Sequence, residues 1–241
     1  MKYWGVTDRG KIRKNNQDSF VISENEAGNI LAVVCDGIGG AKNGDWASNL
    51  VSERLAESFQ ENAAFSNKQS VKKWFTNNIG LTNEIIYQES LLSADCKGMG
   101  TTIVALMVYK NGIMVVNCGD SRCYCYYRGA LQQLTRDHTV IDDLVKQGAL
   151  SQEQAQFHPK RHVLSRAVGA EKEVKLDFYQ VDDDCDAILL CSDGLSGLLS
   201  TKEIENVLKK KESSEIKAKE LLEIANNNGG YDNITVVLLE R

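Results

Sequence analysis

Apolar positions form a series of short strand-like segments. Ser19–Glu24 alternates around Phe20 and Ile22, Gly28-Asn29 turns the chain, and Ile30–Cys35 follows as an unbroken apolar run. Thr101–Tyr109 and Ile113–Cys118 flank Asn111-Gly112, a strong short-hairpin signal. Arg122–Arg128 and Leu131–Leu134 flank a turn containing Gly129. Ala187–Cys191 and Ile234–Leu239 are continuous apolar runs, the pattern of strands buried on both faces.

Two long blocks switch to helical spacing. Ala47, Leu50, Val51, Leu55 and Phe59 line one stripe; Val71, Trp74, Phe75, Ile79, Thr82, Ile85 and Ile86 line another. Ser200 with Glu203 forms a capping box ahead of Ile204, Val207 and Leu208, and Ser151 with Gln154 forms a weaker one. The charged run Lys209–Glu220 leads into Leu221, Leu222 and Ala225 at helical spacing, so it reads as a helix with a solvated face. Strands come in hairpin-linked groups with helices between the groups. That predicts an α+β fold, antiparallel sheets with helices on their outer faces, rather than β-α-β alternation.

The 241 residues are 42% hydrophobic and carry a net charge of −5, enough chain for a sizeable core in one large domain or two small ones. An acidic balance argues against nucleic acid or an anionic membrane as partner. The longest apolar run, Thr101–Tyr109, is far below the roughly 20 residues of a membrane helix. The first residues, MKYWGVTDRGKIRK, show no signal-peptide pattern. Seven cysteines without a Cys-x-x-Cys pair read as free thiols, which suits a cytoplasmic location.

One arrangement recurs: an apolar strand followed by Asp in a Gly-rich turn. Ile30–Cys35 runs into Asp36-Gly37-Ile38-Gly39-Gly40, Ile113–Cys118 into Gly119-Asp120-Ser121, and Ala187–Cys191 into Ser192-Asp193-Gly194. Gly229-Gly230-Tyr231-Asp232-Asn233 leads into Ile234–Leu239, and Asp18 precedes the Phe20 strand. A single Asp-Gly pair needs only to make a turn. Repeated at strand ends, such carboxylates require a counter-charge. All-oxygen ligands select hard ions, Mg²⁺ or Mn²⁺, and five carboxylates exceed what one Mg²⁺ usually takes, which implies two or more ions.

Competing motifs fail. Gly39–Trp46 has the outer spacing of a P-loop, but Asp45 and Trp46 stand where Lys and Ser/Thr are required. Asp182, Asp184 and Asp186 begin like an EF-hand loop, but Ala187 replaces the turn glycine. No covalent nucleophile is marked, so metal-activated water is the expected attacker on a phosphate ester. Arg9, Lys11, Arg13 and Lys14 are candidates to hold that phosphate, Arg9 or Arg13 foremost because guanidinium matches it bidentately.

Taken in order, Thr7–Asp18, Cys35–Gly40, Gly98–Thr102, Gly119–Arg122, Leu134–His138, His158–Gly169, Ser192–Leu195 and Gly229–Thr235 resemble the PP2C-type (PPM) metal-dependent protein Ser/Thr phosphatases, bacterial single-domain members above all. The resemblance implies an α-β-β-α sandwich of two antiparallel β-sheets in a single domain, 1–241. It also implies that Asp36 bridges two Mn²⁺ or Mg²⁺ ions, with the Gly37 carbonyl on one of them. Asp193 and Asp232 would hold the second ion, Asp18 would sit near the first through water, and Asp120 with Asp193 would hold a third, weaker ion. Arg13 would grip the phosphate, making Arg13, Asp36 and Asp193 the catalytic set, and residues 142–161 would form a flap subdomain. Bacterial relatives commonly carry His after the Asp-Gly-x-Gly-Gly turn and animal relatives carry one within it, whereas this chain has Ala41 and Ile38. His138 and His158 lie in matching segments and read as positional. A metal-bound water or Lys42 is left as the acid.

The expected function is hydrolysis of phosphoserine and phosphothreonine by a metal-bridging water or hydroxide, reversing a cognate Ser/Thr kinase, in a monomer. A phosphoprotein-binding pseudo-phosphatase and a small phosphate-ester hydrolase are the alternatives. The full carboxylate set favours the enzyme over the binding module.

Overall fold

The computed structural model describes residues 1–241 apart from 40–42, 62–64, 93–95 and 183. One sheet is ordered β1 (Lys2–Asp8), β11 (Ile234–Glu240), β10 (Ala187–Cys191), β7 (Arg122–Tyr127) and β8 (Ala130–Gln133). The other is ordered β2 (Asp18–Glu24), β3 (Ile30–Ile38), β5 (Ile103–Tyr109), β6 (Gly112–Cys118) and β9 (Asp177–Val181), with β4 (Gly100–Thr101) pairing the end of β3. Every pairing is antiparallel.

Strand alternation builds three apolar layers. On β3, Ile30, Ala32 and Val34 join Val104, Leu106, Ile188, Leu190, Val237 and Leu239 between the sheets. The opposite face of β3, with Leu31, Val33 and Cys35, packs on α1 (Gly44–Gln60) and α2 (Lys68–Leu92) through Val51, Leu55, Phe59 and Phe75. The outer face of β10 and β11, with Leu189, Cys191, Val236 and Leu238, packs on α6 (Thr201–Leu208) and α7 (Ser214–Asn227). Each fully buried Leu, Ile or Phe contributes about 1.5–3 kcal/mol. The expected α-β-β-α sandwich is therefore the fold.

The differences from the sequence reading are local. Thr101–Tyr109 is broken at Thr102, whose amide donates to the Asp36 carbonyl (2.8 Å) instead of continuing the ladder. Arg128 leaves its strand at φ 45° to make the turn. The run Lys209–Glu220 is not one helix: Ser213 caps α7 by accepting from the Ile216 amide, and 209–213 is a connection. Both capping boxes, Ser151/Gln154 and Ser200/Glu203, form. Between β8 and β9 lie α3 (Val140–Lys146) and α4 (Gln152–Gln156), which pack chiefly on each other.

Candidate active site

The acidic residues meet at one mouth of the sandwich, where strands of both sheets end. Asp18 opens β2 directly opposite Asp36 on β3. The β3 strand continues to Ile38, so Asp36 and Gly37 sit on extended backbone rather than in the expected turn. Thr102 fixes Asp36: its Oγ1 accepts from the Asp36 amide (2.9 Å), and Thr101 Oγ1 donates to the Asp36 carbonyl (2.9 Å). Gly37 has no room for a side chain, since a Cβ there would lie 2.1 Å from the Gly44 carbonyl oxygen and 2.7 Å from that of Gln17. Asp193 begins the single turn α5 (Asp193–Ser196) after β10, and Asp232 lies just before β11. Asp120 sits in the turn joining β6 and β7.

Asp36, Gly37, Asp120, Asp193 and Asp232 line one cavity of about 1020 Å³ together with Arg13. Asp18 is buried beside Asp36 and outside that lining. Its Oδ2 accepts from Ser192 Oγ and Thr235 Oγ1, both at 2.7 Å, while its Oδ1 has no hydrogen-bond partner. Asp193 Oδ1 is equally unpartnered. Burial, and next the charge of Asp193, push Asp120 from 3.8 up to about 8. Burial raises Asp18 to about 7 against the pull of the Ser192 and Thr235 hydrogen bonds. Burial and then Asp18 raise Asp36 well above the carboxylate range. Burial and then Asp232 raise Asp193.

These groups therefore repel one another in a dry place, the situation a cation relieves. Among the described residues, no three His, Cys, Asp or Glu side chains form a ready-made cage. Hard ions of the Mg²⁺ type do not require one, since they take one or two carboxylates and keep several waters. Two orphaned buried carboxylate oxygens and an all-oxygen donor set fit such ions.

The loop carrying Arg13 is held by Asn233. Its Oδ1 accepts from the Gln17 amide (2.8 Å), and its Nδ2 donates to the carbonyls of Arg9 and Asn15, both at 2.9 Å. Arg13 itself is half exposed and pairs with Asp232 at 2.6 Å. The sequence reading assigned these two residues to different partners and did not foresee that they touch. Arg9 is turned away, donating to the Lys14 carbonyl (3.3 Å).

His138 is positional, as expected. Its Nδ1 accepts from the Gly119 amide (3.1 Å), and its Nε2 faces Asp177 (3.0 Å), so the ring steadies the Asp120 turn. Burial lowers its pKa, which suits a neutral ring. His158 accepts from the Lys160 amide (3.1 Å). His162, given no role by the sequence, lines the acidic cavity beside Arg161. Ala41 and Lys42 lie outside the described residues.

The family model described as Protein phosphatase 2C matches residues 11–238. The chain is 39% identical over 238 residues to "Serine/threonine phosphatase stp" of Listeria welshimeri, covering 98% of this chain and 94% of that one. It is 33% identical over 235 residues to "Protein phosphatase PhpP" of Streptococcus pneumoniae, covering 97% and 95%. Among solved structures, the serine/threonine phosphatase Stp1 from Staphylococcus aureus superimposes with TM-score 0.92 at 32% identity, covering 99% of this chain and 94% of that one. The phosphatase PstP/Ppp of Mycobacterium tuberculosis gives TM-score 0.85 at 33% identity, covering 100% and 99%.

Proposed function

Because the chain belongs to the protein phosphatase 2C family, we propose that its acidic mouth is where phosphoserine and phosphothreonine are hydrolysed, with Asp18, Asp36, the Gly37 carbonyl, Asp120, Asp193 and Asp232 as the metal-holding groups. The chain is a metal-dependent serine/threonine protein phosphatase, and its substrates are phosphoproteins. The observation that carries the site assignment is the meeting of carboxylates from both sides of the sandwich in one cavity, where Asp193 keeps an orphaned buried oxygen, with a second on Asp18 opposite Asp36.

Asp36 and Asp193, which line the same cavity, would share the core ions with Asp232. Asp120 with Asp193 would hold a third, weaker ion. When bound, Mn²⁺ or Mg²⁺ supplies an acidified water and a positive clamp on the phosphoryl oxygens. Asp18, enclosed behind Asp36 and fixed by Ser192 and Thr235, would orient ordered water on that side. Arg13 presents a planar fork to the phosphate, pre-aimed by its pairing with Asp232, and Asn233 keeps its loop in place.

We assign residues 142–161, with α3 and α4, to a flap over the site within a single domain 1–241. A partner Ser/Thr kinase supplies the substrate, and the enzyme acts as a monomer. Cytoplasmic residence is supported by seven cysteines, none of them in a disulfide. Among the described residues, no helix is long and apolar enough to cross a membrane.

The test is release of phosphate from a phosphothreonine peptide with Mn²⁺ and with chelator. Release that needs the metal is expected, and none in either condition refutes the assignment.

A further inference from the structure

Breaking the P–O bond of a phosphoseryl or phosphothreonyl group leaves an alkoxide, which must receive a proton as it departs. Few groups in the cavity can give one. As side-chain classes, guanidinium holds its protons at every working pH, and ammonium and phenol release theirs only in the alkaline range. The carboxyls are the groups proposed above to hold the cations. Imidazole is the side chain that carries and releases a proton near neutrality.

Among the described residues, His162 is the one imidazole lining this cavity. It is exposed to solvent, and its side chain makes no hydrogen bond within the described structure, unlike His138 and His158. It shares that lining with Asp36, Asp120 and Asp193. It also sits between Arg161 and Leu164, both facing the same cavity.

We infer that His162 is the proton donor to the departing seryl or threonyl oxygen. The inference rests on the phosphatase assignment. As water's oxygen bonds to phosphorus, the P–O bond to the side chain breaks and its electron pair passes to that oxygen. The imidazolium proton moves onto it, giving the free hydroxyl. The neutral ring is then reprotonated from solvent, which its exposure permits, while the attacking water's proton leaves to solvent.

The experiment compares the parent with His162→Gln on a phosphothreonine peptide and on p-nitrophenyl phosphate, both with Mn²⁺, and measures Mn²⁺ affinity by titration calorimetry. A poor leaving group needs the acid and nitrophenolate does not, so kcat on the peptide should fall about 100-fold and on the aryl ester less than about threefold. Mn²⁺ affinity and KM should hold. Added imidazole should restore peptide turnover in His162→Gly. Equal losses on both substrates, weakened Mn²⁺ binding, a change confined to KM, or no loss on the peptide would overturn the role. A parent inert on both substrates would instead strike the phosphatase assignment, a result separable from failure of His162 alone.

Discussion

Asn at position 120 should make the metal-free protein more stable, not less. Asp120 is 9% exposed, and burial with the charges of Asp193 and Asp137 lifts it from 3.8 to about 8. A carboxyl whose folded pKa lies above its unfolded one costs nothing below about pH 3.8. The cost then grows as pH rises, until pH passes about 8. At pH 7 the gap from 3.8 is about 3, which at 1.36 kcal/mol per tenfold caps the penalty near 4 kcal/mol. An amide in the same place keeps part of the desolvation cost, so about 2 kcal/mol should be recovered. For a chain of this size that raises Tm by about 4–8 °C. The assay is thermal unfolding of parent and Asp120→Asn between pH 5 and 8, in chelator and in Mn²⁺. In chelator the gain should be largest at pH 8 and shrink toward zero by pH 5. In Mn²⁺ the order should reverse, because the parent gains more from the ion. A variant less stable than the parent in chelator at pH 8, or a gain independent of pH, refutes the reasoning.

Asp36→Asn and Asp193→Asn should each lower Mn²⁺-dependent peptide turnover at least about 100-fold at saturating metal. Persistent activity in steady-state assays would remove them from the ligand set. Asn233→Ala deletes three hydrogen bonds to the loop bearing Arg13. It should cost about 2–3 kcal/mol in denaturant unfolding and raise the peptide KM. A loss of stability with KM unchanged would show that the loop does not position Arg13.

The acidic residues were legible in the sequence because each abuts an apolar strand. A side chain at a strand end is located by its strand, and Asp18 and Asp36 prove to be in register. The layers were legible too, since the continuous apolar runs on β3, β10 and β11 can only be satisfied with both faces covered. β1 and β9 escaped notice. Gly5 and the partly exposed residues of β1 blur its period, and Asp177–Val181 is half-covered and short. The Arg13–Asp232 pair and the placement of His162 depend on contacts between distant segments, for which local patterning carries no signal. The break at 209–213 was hidden because lysine and glutamate suit a helix, and only Ser213 marks the restart.

Asp18 and Asp36 come from one sheet, Asp193 and Asp232 from the other. A cation held by this proposed set would be a rivet through the two halves of the molecule. An isolated hairpin of either half offers it only a fragment of its ligands. With the proposed ligand set, manganese affinity would report how firmly the halves are seated, and a core substitution deep between them, far from any oxygen ligand, would loosen the ion as surely as it loosens the protein.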